Sequence, residues 1–499
     1  MATIGKIGSL TTDLRVACGA VVALSFILAG CGRTDGPARR PEPRTLTIGF
    51  GLGGATTNPQ IGIQQAIRNI ALEPLVAVAR DGHPRARLAD GWSISPDGLT
   101  VRLRLRPLVT FHDGTPARAE AVLTALLKGL PQNLGPVFDD VKEIRAASDY
   151  EIEISLNQRS ALLLEGLDVL IEKAGTQTVG TGPFSRVARE GNSVEMVANA
   201  HYYLGKPLID RIVMKPYDSV RAAWADLLRG QVDMLYEVGI DALDSLKPST
   251  DVKVFTFQRP YAYMVLLNTQ RPYLRDAGFR RALNAAVARD VLVKDVLNGH
   301  GSPATGAVWP RHWAYDPDAP GFRYEPRVIA DRSGRPRFKC LIADSSPFER
   351  LGLALQRQLQ AIGVDLELEA MPTEKVFGRI QAGEFDSVLM DLAGGPSLAR
   401  PYVFWHSGAP FNYGHFSSKA VDTALDSIRH AADDAAYKAG VAAFQRAIVE
   451  DPPAIFLAWS ERARAVSRRF DVPAEPEGDV LGVLRLWRPD AGERTAGRN

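Results

Sequence analysis

Cysteine is scarce in this sequence, with only Cys18, Cys31 and Cys340 in a chain of 499 residues. A chain with so few cysteines cannot build a disulfide framework, so its fold must depend on large apolar cores. The chain also has no large excess of charge of either sign, because its formal net charge is only +2. We therefore expect no nucleic-acid partner. Beyond the N-terminal region, no apolar run approaches membrane-spanning length.

Catalytic and metal-binding motifs are missing as well. The histidines form no HxxxH or HExxH pattern, and the sequence has no GxSxG motif. His406 and His415 flank one loop, but two histidines in a polar loop are usually solvated, so we expect no metal ion and no other cofactor. Cys340 lies in a predicted strand, where a buried, inert thiol is expected. The sequence therefore gives no support for an enzyme.

One glycine-rich segment has the pattern of a nucleotide site. Residues 49–54 (GFGLGG) contain GxGxxG after a predicted strand, and Glu73 follows at the distance of a dinucleotide-binding acid. The last glycine should open a helix, yet Pro59 follows closely and disfavours helix at the residue before it. We therefore interpret the segment as a glycine-rich loop that lines a cleft.

The N-terminus has the pattern of an export signal. Lys6 and Arg15 precede an uncharged apolar stretch that ends in Leu28-Ala29-Gly30-Cys31. These four residues resemble the bacterial lipobox, in which the cysteine receives diacylglycerol and becomes the mature N-terminus. We expect residues 1–30 to be a lipoprotein signal peptide and Cys31 to be the lipidation site.

The rest of the chain reads as mixed α and β between two polar ends. Residues 31–44 are rich in proline, glycine and arginine and predict a flexible tether, and residues 488–499 predict a disordered tail. Residues 100–106 alternate apolar and charged, which is typical of a half-buried antiparallel strand. The strand-helix-strand-helix-strand order in residues 338–391 predicts a parallel sheet with right-handed crossovers. At about 150 residues per domain, roughly three domains are expected.

Several motifs follow one another in a characteristic order: Leu88-Ala-Asp-Gly-Trp92, Phe111-His-Asp-Gly114, Gly180-Thr-Gly-Pro-Phe184, Gly205-Lys-Pro207 with Asp210, and Gly383-Glu-Phe-Asp386. Together they resemble the signature of the family 5 extracellular solute-binding proteins, the receptors of dipeptide, oligopeptide and nickel ABC importers. The resemblance runs from about residue 45 to about residue 487. It implies a mixed α/β fold, namely a two-lobed periplasmic-binding-protein clamshell of the class II type with a small extra domain inserted in the first lobe.

The resemblance also implies a domain organisation with a discontinuous lobe I, an inserted α+β domain and an α/β lobe II. The expected boundaries are residues 45–73, 179–259 and 462–487 for lobe I, 74–178 for the insertion, and 260–461 for lobe II. Two strands are expected to cross between the lobes, within residues 261–268 and 454–462.

Six residues are expected to approach the ligand, because the resemblance places them on the crossing strands or on loops of lobe II: Tyr263, Asn268, Arg400, Trp405, Tyr413 and Trp459. Aromatic rings would supply contact area, and Arg400 would pair a ligand carboxylate. The same rings are equally typical of an apolar core, and Arg400 is equally typical of a solvated loop.

One departure from the family concerns the loop after the third strand of lobe II. Peptide receptors of the family usually carry an aspartate there, which pairs the α-amino group of the peptide. In residues 391–400 only Asp391 is acidic, and it lies early, at the predicted strand end. This difference leaves room for an anionic or bulkier ligand.

We therefore expect a substrate-binding lipoprotein of an ABC importer. It would capture a peptide or peptide-like solute between its lobes and deliver it to a membrane permease and its ATPase. We expect a monomer in the periplasmic space, anchored to the cell membrane through its lipid. The alternatives are a ligand-sensing receptor with the same clamshell, a binder of nickel or another non-peptide solute, and an extracytoplasmic enzyme. The last would need a catalytic constellation that the sequence does not show.

Overall fold

The computed structural model describes residues 44–51, 59–329, 335–473 and 478–490. The predicted signal peptide, Cys31 and most of the tether lie outside the described residues, as do Gly53 and Gly54 of the glycine-rich segment. The predicted tether ends earlier than expected, because Arg44 is bound to the fold. Its backbone N–H donates to Asp210 Oδ2 at 3.0 Å, and its guanidinium pairs with the same carboxylate at 3.1 Å.

The strands in the described residues are β1 (Thr45–Gly51), β2 (Val76–Val78), β3 (Pro84–Ala86), β4 (Ala89–Ile94), β5 (Thr100–Leu105), β6 (Val141–Ser148), β7 (Glu151–Leu156), β8 (Phe184–Glu190), β9 (Ser193–Ala198), β10 (Arg211–Tyr217), β11 (Met234–Leu235), β12 (Val252–Leu267), β13 (Gly301–Pro303), β14 (Arg337–Ala343), β15 (Asp365–Met371), β16 (Ser387–Ala393), β17 (Ala454–Ser467), β18 (Phe470–Asp471) and β19 (Arg488–Pro489).

The α-helices in the described residues are α1 (Pro59–Ala71), α2 (Ala119–Leu134), α3 (Leu163–Gly166), α4 (Val220–Leu228), α5 (Ile240–Leu246), α6 (Ala277–Ala285), α7 (Arg289–Val291), α8 (Phe348–Ala361), α9 (Thr373–Gln381), α10 (Ala399–Trp405), α11 (Lys419–Arg429) and α12 (Asp434–Glu450). Shorter helical turns are the 3₁₀ segments Gly135–Asp140 and Val480–Leu486 and the π segment Leu292–Val296. Within the part that the structure describes, no helix is long and apolar enough to cross a membrane.

One mixed sheet of 11 strands runs through the molecule in the order β15-β14-β16-β12-β17-β11-β1-β10-β9-β8, with β13 paired to β17. We call β1 and β8–β11 its first half and β13–β16 its second half. In the second half, β14 is parallel to both β15 and β16, which confirms the predicted parallel sheet. In the first half, β1 is parallel to β10 and β11. The mixed α/β fold class is confirmed.

The two halves are joined by β12 and β17, which are 16 and 14 residues long and antiparallel. The early part of β12 and the late part of β17 lie beside the first half, where β17 also pairs with β11. The late part of β12 pairs with β16 of the second half. These two strands are therefore the backbone connection on which the halves are arranged. The exact domain boundaries stay a prediction.

A second, antiparallel sheet of four strands, β4-β5-β7-β6, lies within the predicted insertion. β5 confirms the predicted strand, with Val101, Leu103 and Leu105 buried and the alternating arginines exposed. The buried face packs on α2 through Leu126 and Leu130. Because this apolar cluster continues into residues of α10–α12 and β17, the insertion and the second half share one core.

Two buried acids extend this contact. Asp140, fully buried, accepts hydrogen bonds from both Arg429 Nε (2.8 Å) and Arg429 Nη2 (2.6 Å). Glu165 of α3 accepts hydrogen bonds from the Tyr437 hydroxyl at 2.6 Å and the Ser397 hydroxyl at 2.9 Å. Burial raises the pKa of Glu165 to about 6, against the effect of these hydrogen bonds. The insertion is therefore fixed to the second half by specific polar contacts as well as by apolar packing.

Helix α8 begins at Phe348 after Pro347, and no side-chain hydrogen bond caps it. One local prediction needs correction. The predicted disordered tail begins later than expected, because Arg488 and Pro489 pair with β18. The backbone N–H of Asp490 also donates to the carbonyl of Arg469 at 2.7 Å.

The shared core predicts a large stability difference between two phenylalanines. Phe456 of β17 is fully buried between the rings of Phe322 and Trp405, whereas Phe377 of α9 is 52% exposed. We expect Phe456→Ala to lower the free energy of unfolding by about 3–5 kcal/mol, because it leaves a cavity. Phe377→Ala should change it by less than about 0.5 kcal/mol. Denaturant unfolding measures both, and equal losses would contradict the packing described.

Candidate functional site

The pairing of β12 with β17 shifts register twice, between Gln258 and Ala262 and again between Tyr263 and Met264, and the first shift is the larger. Gln258 pairs with Glu461, and the next regular pair is Ala262 with Trp459, so three residues of β12 lie opposite a single residue of β17. Pro260 lies in this bulge, where its missing N–H is tolerated. We call this place the junction, and it comprises residues 258–262 and 459–462. Because the two halves of the sheet meet here, side chains from both converge on it.

Arg462 of β17 joins acidic side chains from the two halves. Its Nη1 donates to Glu237 Oε1 at 2.7 Å, just after β11 of the first half. Its Nη2 donates to Asp391 Oδ2 at 3.0 Å, in β16 of the second half. The side chains are only 10%, 16% and 20% exposed, respectively, so water screens these charges weakly. Burial lowers the pKa of Arg462, but Tyr263, Glu237 and Asp391 together raise it above its ordinary value.

Tyr263 faces the same group of charges from β12. Its ring meets Phe348 edge-on at 5.9 Å, and its side chain is almost completely buried. Burial raises the pKa of its hydroxyl, and the charges that act on it are those of Arg462, Asp391, Glu237 and Arg259. This cluster therefore holds two cations and two anions around one phenol.

Aromatic rings form the wall of the junction on the side of the first half. Phe50 of β1 stacks on Tyr236 at 4.4 Å. The Arg464 guanidinium lies 4.1 Å from the Tyr236 ring centre and also pairs with Asp479, at 2.7 Å. Gly51 ends β1 where an added Cβ would come within 2.4 Å of the Val220 backbone, so only glycine fits there. Residues 52–58 lie outside the described residues, so the cleft-lining loop stays a prediction.

Several polar atoms at the junction have no hydrogen-bond partner among the described residues. They are Trp459 Nε1, Ser460 Oγ, Arg462 Nε and, from the neighbouring β13 side, His300 Nε2. The other ring nitrogen of His300, Nδ1, lies 2.9 Å from Glu461 Oε1. Burying a polar group without a partner is costly, so a cluster of such atoms is characteristic of a binding site. The Trp indole N–H and the Arg Nε–H can only donate, so they require an acceptor.

The predicted ligand contacts Tyr263 and Trp459 both lie at or beside the junction. Trp459 is 1% exposed, meets Trp309 edge-on at 5.0 Å, and covers Gly394 so closely that an added Cβ would lie 2.8 Å from its ring. The glycines after β16 therefore make room for this indole. These positions agree with a role in binding, which stays a prediction.

Asn268 and Tyr413 lie near the other end of β12. At a rise of about 3.3 Å per residue, Asn268 is about 16 Å along the chain from Tyr263. The Asn268 side chain donates to Phe385 O at 3.0 Å and accepts from the Gln270 N–H at 3.1 Å, so both ends of its amide are used. The backbone around Tyr413 is bound to that same end of β12, through Gly414. These placements argue against the prediction that either residue contacts a ligand at the junction.

Trp405 and Arg400, the two remaining predicted contacts, belong to α10. Trp405 is 3% exposed and packs against Phe456, so it is a core residue. Arg400 is half-buried and lies near Asp168 of the insertion. Asp168 is partly exposed, and desolvation by the surrounding protein raises the pKa of its carboxyl to about 7, with Arg400 opposing this shift. Arg400 therefore has an acidic neighbour in the protein itself.

The sequence did not identify Arg462, Glu237 or Arg259 as site residues. It placed Asp391 at a strand end, before the loop in which a ligand-binding aspartate was expected. One signal was present, because Arg462 and Arg464 alternate with alanines in residues 462–465, after a strand that begins with the apolar residues 454–459. Three surface cavities, of about 330, 220 and 510 Å³, lie elsewhere, around His112, Asp386 and Glu369. We base the site on the junction because the charged and unpartnered groups lie there.

Comparison with known proteins agrees with this architecture. Residues 83–414 match the family described as bacterial extracellular solute-binding proteins, family 5 Middle. The chain belongs to this family. One relative is the probable D,D-dipeptide-binding periplasmic protein DdpA of Escherichia coli, 25% identical over 454 residues, which cover 83% of this chain and 88% of the relative.

Solved structures show the same two-lobed fold. NikZ from Campylobacter jejuni, in complex with Ni(L-His), matches with a TM-score of 0.76 and 23% identity, over 89% of this chain and 99% of NikZ. The oligopeptide-binding protein AppA from Bacillus subtilis, in complex with a nonapeptide, matches with a TM-score of 0.74 and 18% identity, over 90% of this chain and all of AppA (100%). The predicted clamshell fold of this family 5 protein is thus confirmed.

The charge cluster predicts a specific cost when its cation is removed. Arg462→Met leaves Glu237 and Asp391 buried near each other without a counter-ion, so we expect the free energy of unfolding to fall by about 3–5 kcal/mol. Arg468→Met, at an exposed position just after the end of the same strand, is the matched control and should cost less than about 0.5 kcal/mol. Urea unfolding at pH 7 measures both variants. A loss no larger than that of the control would show that Arg462 does not hold the two acids together.

Proposed function

We propose that this protein is the substrate-binding component of an ABC importer that captures a peptide or peptide-like solute at the junction and delivers it to a membrane permease and its ATPase. Membership of the family supports the binding role. The relative DdpA, a probable D,D-dipeptide-binding protein, and the structure of AppA with a nonapeptide support a peptide-like ligand.

The observation that carries the proposal is the position of Arg462. One cation in the strand that joins the halves is bound to Glu237 of the first half and to Asp391 of the second. A solute that enters here contacts both halves only when they are close together. It therefore favours the closed arrangement by the contacts that exist only there, and a membrane partner can read that change.

Nickel bound as a histidine complex is the second candidate, because NikZ is solved with Ni(L-His) and has the same fold. Such a complex has amino and carboxylate groups, as a peptide does. Among the described residues, no group of three or more His, Cys, Asp or Glu side chains is arranged to hold a metal ion. A metal would therefore have to arrive with its own ligands, as in Ni(L-His), and the peptide stays the first candidate because of the D,D-dipeptide-binding relative and the AppA complex.

We also propose that the protein binds its solute without chemically converting it. In this proposal, lipid on Cys31 holds the protein at the outer face of the cell membrane. A family of extracellular binding proteins fits export, and the Leu28-Ala29-Gly30-Cys31 motif fits lipidation. A tethered receptor stays close to its permease, and several acyl chains hold a protein firmly where one does not. We propose that the anchored protein acts as a monomer.

Ligand binding can be followed by tryptophan fluorescence. Native mass spectrometry of freshly purified protein would first identify any bound solute. Titration with dipeptides, tripeptides and Ni²⁺ with histidine should then change the emission for one class. We expect most of this change to vanish in Trp459→Phe, because this indole lies at the junction. It should persist in Trp487→Phe, since Trp487 is fully buried in the apolar core of the first half. Loss of the signal in both variants, or in neither, would contradict the proposed position.

Anchoring can be separated from binding. We expect Cys31→Ser to move the protein from the membrane fraction to the soluble periplasmic fraction and to abolish incorporation of labelled fatty acid, with ligand affinity unchanged. Cys340→Ser is the control and should stay in the membrane fraction, because Cys340 is buried in β14. Retention of Cys31→Ser in membranes would show that Cys31 is not the anchor.

A further inference from the structure

Arg259 differs from the other arginines of the junction. Arg462 holds Glu237 and Asp391, and Arg464 holds Asp479. The half-buried guanidinium of Arg259, in contrast, has no hydrogen-bond acceptor and no ion-pair partner among the described residues. It lies over the ring of Tyr261, with the guanidinium carbon 4.0 Å from the ring centre.

The backbone explains why this side chain stands apart. Arg259 and Tyr261 both belong to the bulge in β12, where three residues face a single residue of β17. Bulges redirect side chains away from the regular pleat, and here the ring of Tyr261 supports the guanidinium by a cation–π contact. A guanidinium stacked in this way keeps its N–H donors free at the edge of the plane.

The acids nearby are already occupied. The positive charge of Arg259 opposes the rise in pKa that burial causes for the hydroxyls of Tyr236 and Tyr263. Arg259 therefore lies near both the aromatic wall and the charge cluster. The carboxylates of that cluster, Glu237 and Asp391, are bound by Arg462. The N–H donors of Arg259 are therefore available to an acceptor on a ligand.

From this geometry we propose that Arg259, and not Arg400, binds a carboxylate of the captured solute, with the Nε of Arg462 and the indole N–H of Trp459 as neighbouring donors. This inference rests on the proposed function and narrows it to solutes with a carboxylate. A carboxylate fits better than a phosphate, because a single free guanidinium matches one negative charge in a planar, bidentate pair. Without Arg259, the cluster of Arg462, Glu237 and Asp391 has a net negative charge, so it offers no second free cation for a dianion.

The test uses purified full-length mature protein and isothermal titration with a panel of dipeptides and tripeptides, each as the free acid and as its C-terminal amide. We expect the best peptide acid to bind roughly 10- to 100-fold more tightly than its amide, the usual effect of one charge-assisted bidentate hydrogen bond. Arg259→Gln should weaken the acid by the same factor. The amide should bind wild type and Arg259→Gln equally, because the contact is already lost.

Matched variants separate this effect from a general one. Arg259→Lys should recover part of the affinity for the acid, since it keeps the charge and loses the fork. Arg400→Gln and the exposed Arg468→Gln should leave the preference for the acid unchanged. Thermal unfolding should give nearly the same midpoint for Arg259→Gln and wild type, because the variant loses only the cation–π contact with Tyr261 and no ion pair or hydrogen bond.

The outcomes distinguish the two levels of the proposal. If no peptide binds wild type, the peptide-binding function is wrong and the inference fails with it. If peptides bind but acid and amide are equal, or Arg259→Gln keeps the full preference for the acid, only the assignment of Arg259 is overturned. If Arg400→Gln instead loses the preference, the carboxylate lies at α10.

Discussion

The pairing of β12 with β17 is the constraint on which the rest of the structure depends. Among the described residues, these two strands carry the large sheet from the first half to the second, so the backbone pairing between the halves passes through them. Backbone hydrogen bonds fix the two ends of the pair, but the register shift at the junction interrupts it. A connection that is rigid at both ends and irregular in the middle is suited to a hinge, because the change in backbone angles is confined to a few residues.

The charge cluster lies at that irregularity, and its energetics favour specificity more than stability. Removing Arg462, Glu237 and Asp391 from water costs several kcal/mol per ion, which their attraction offsets only with good geometry. The two hydrogen bonds of Arg462 supply that geometry and select one arrangement of the halves. The remaining donors at the junction, on Arg462, Trp459 and Arg259, then define where a solute would complete the hydrogen bonding. The hydrogen bonds between Asp140 and Arg429 hold the insertion against the second half. The insertion and the second half would therefore move together when a solute binds.

The sequence predicted local structure well, because strand and helix periodicity depend on near neighbours. Residues 100–106 and the alternating elements from β14 to β16 follow from spacing alone. The site was harder, since Glu237, Asp391 and Arg462 meet only through strand pairing across the sheet. Asn268 was expected at the end of a crossing strand, and it does follow the last residue of β12. That end of the strand, however, lies far from the junction. Arg259 could not be recognised from the sequence. Its position depends on a strand bulge, and its donors are available because Arg462 already binds the neighbouring acids, Glu237 and Asp391.

Ligand-dependent closure about the junction is the central claim, and a distance measurement tests it most directly. Spin labels on Gln231→Cys in the first half and Lys375→Cys in the second lie at exposed positions, and the buried Cys340 should not react. With Cys31 replaced by serine, pulsed electron–electron double resonance would give the distribution of distances between the two labels before and after addition of a binding peptide. The account predicts a shift to a single, shorter distance that is lost in Arg462→Met. An unchanged distribution under saturating peptide would contradict it.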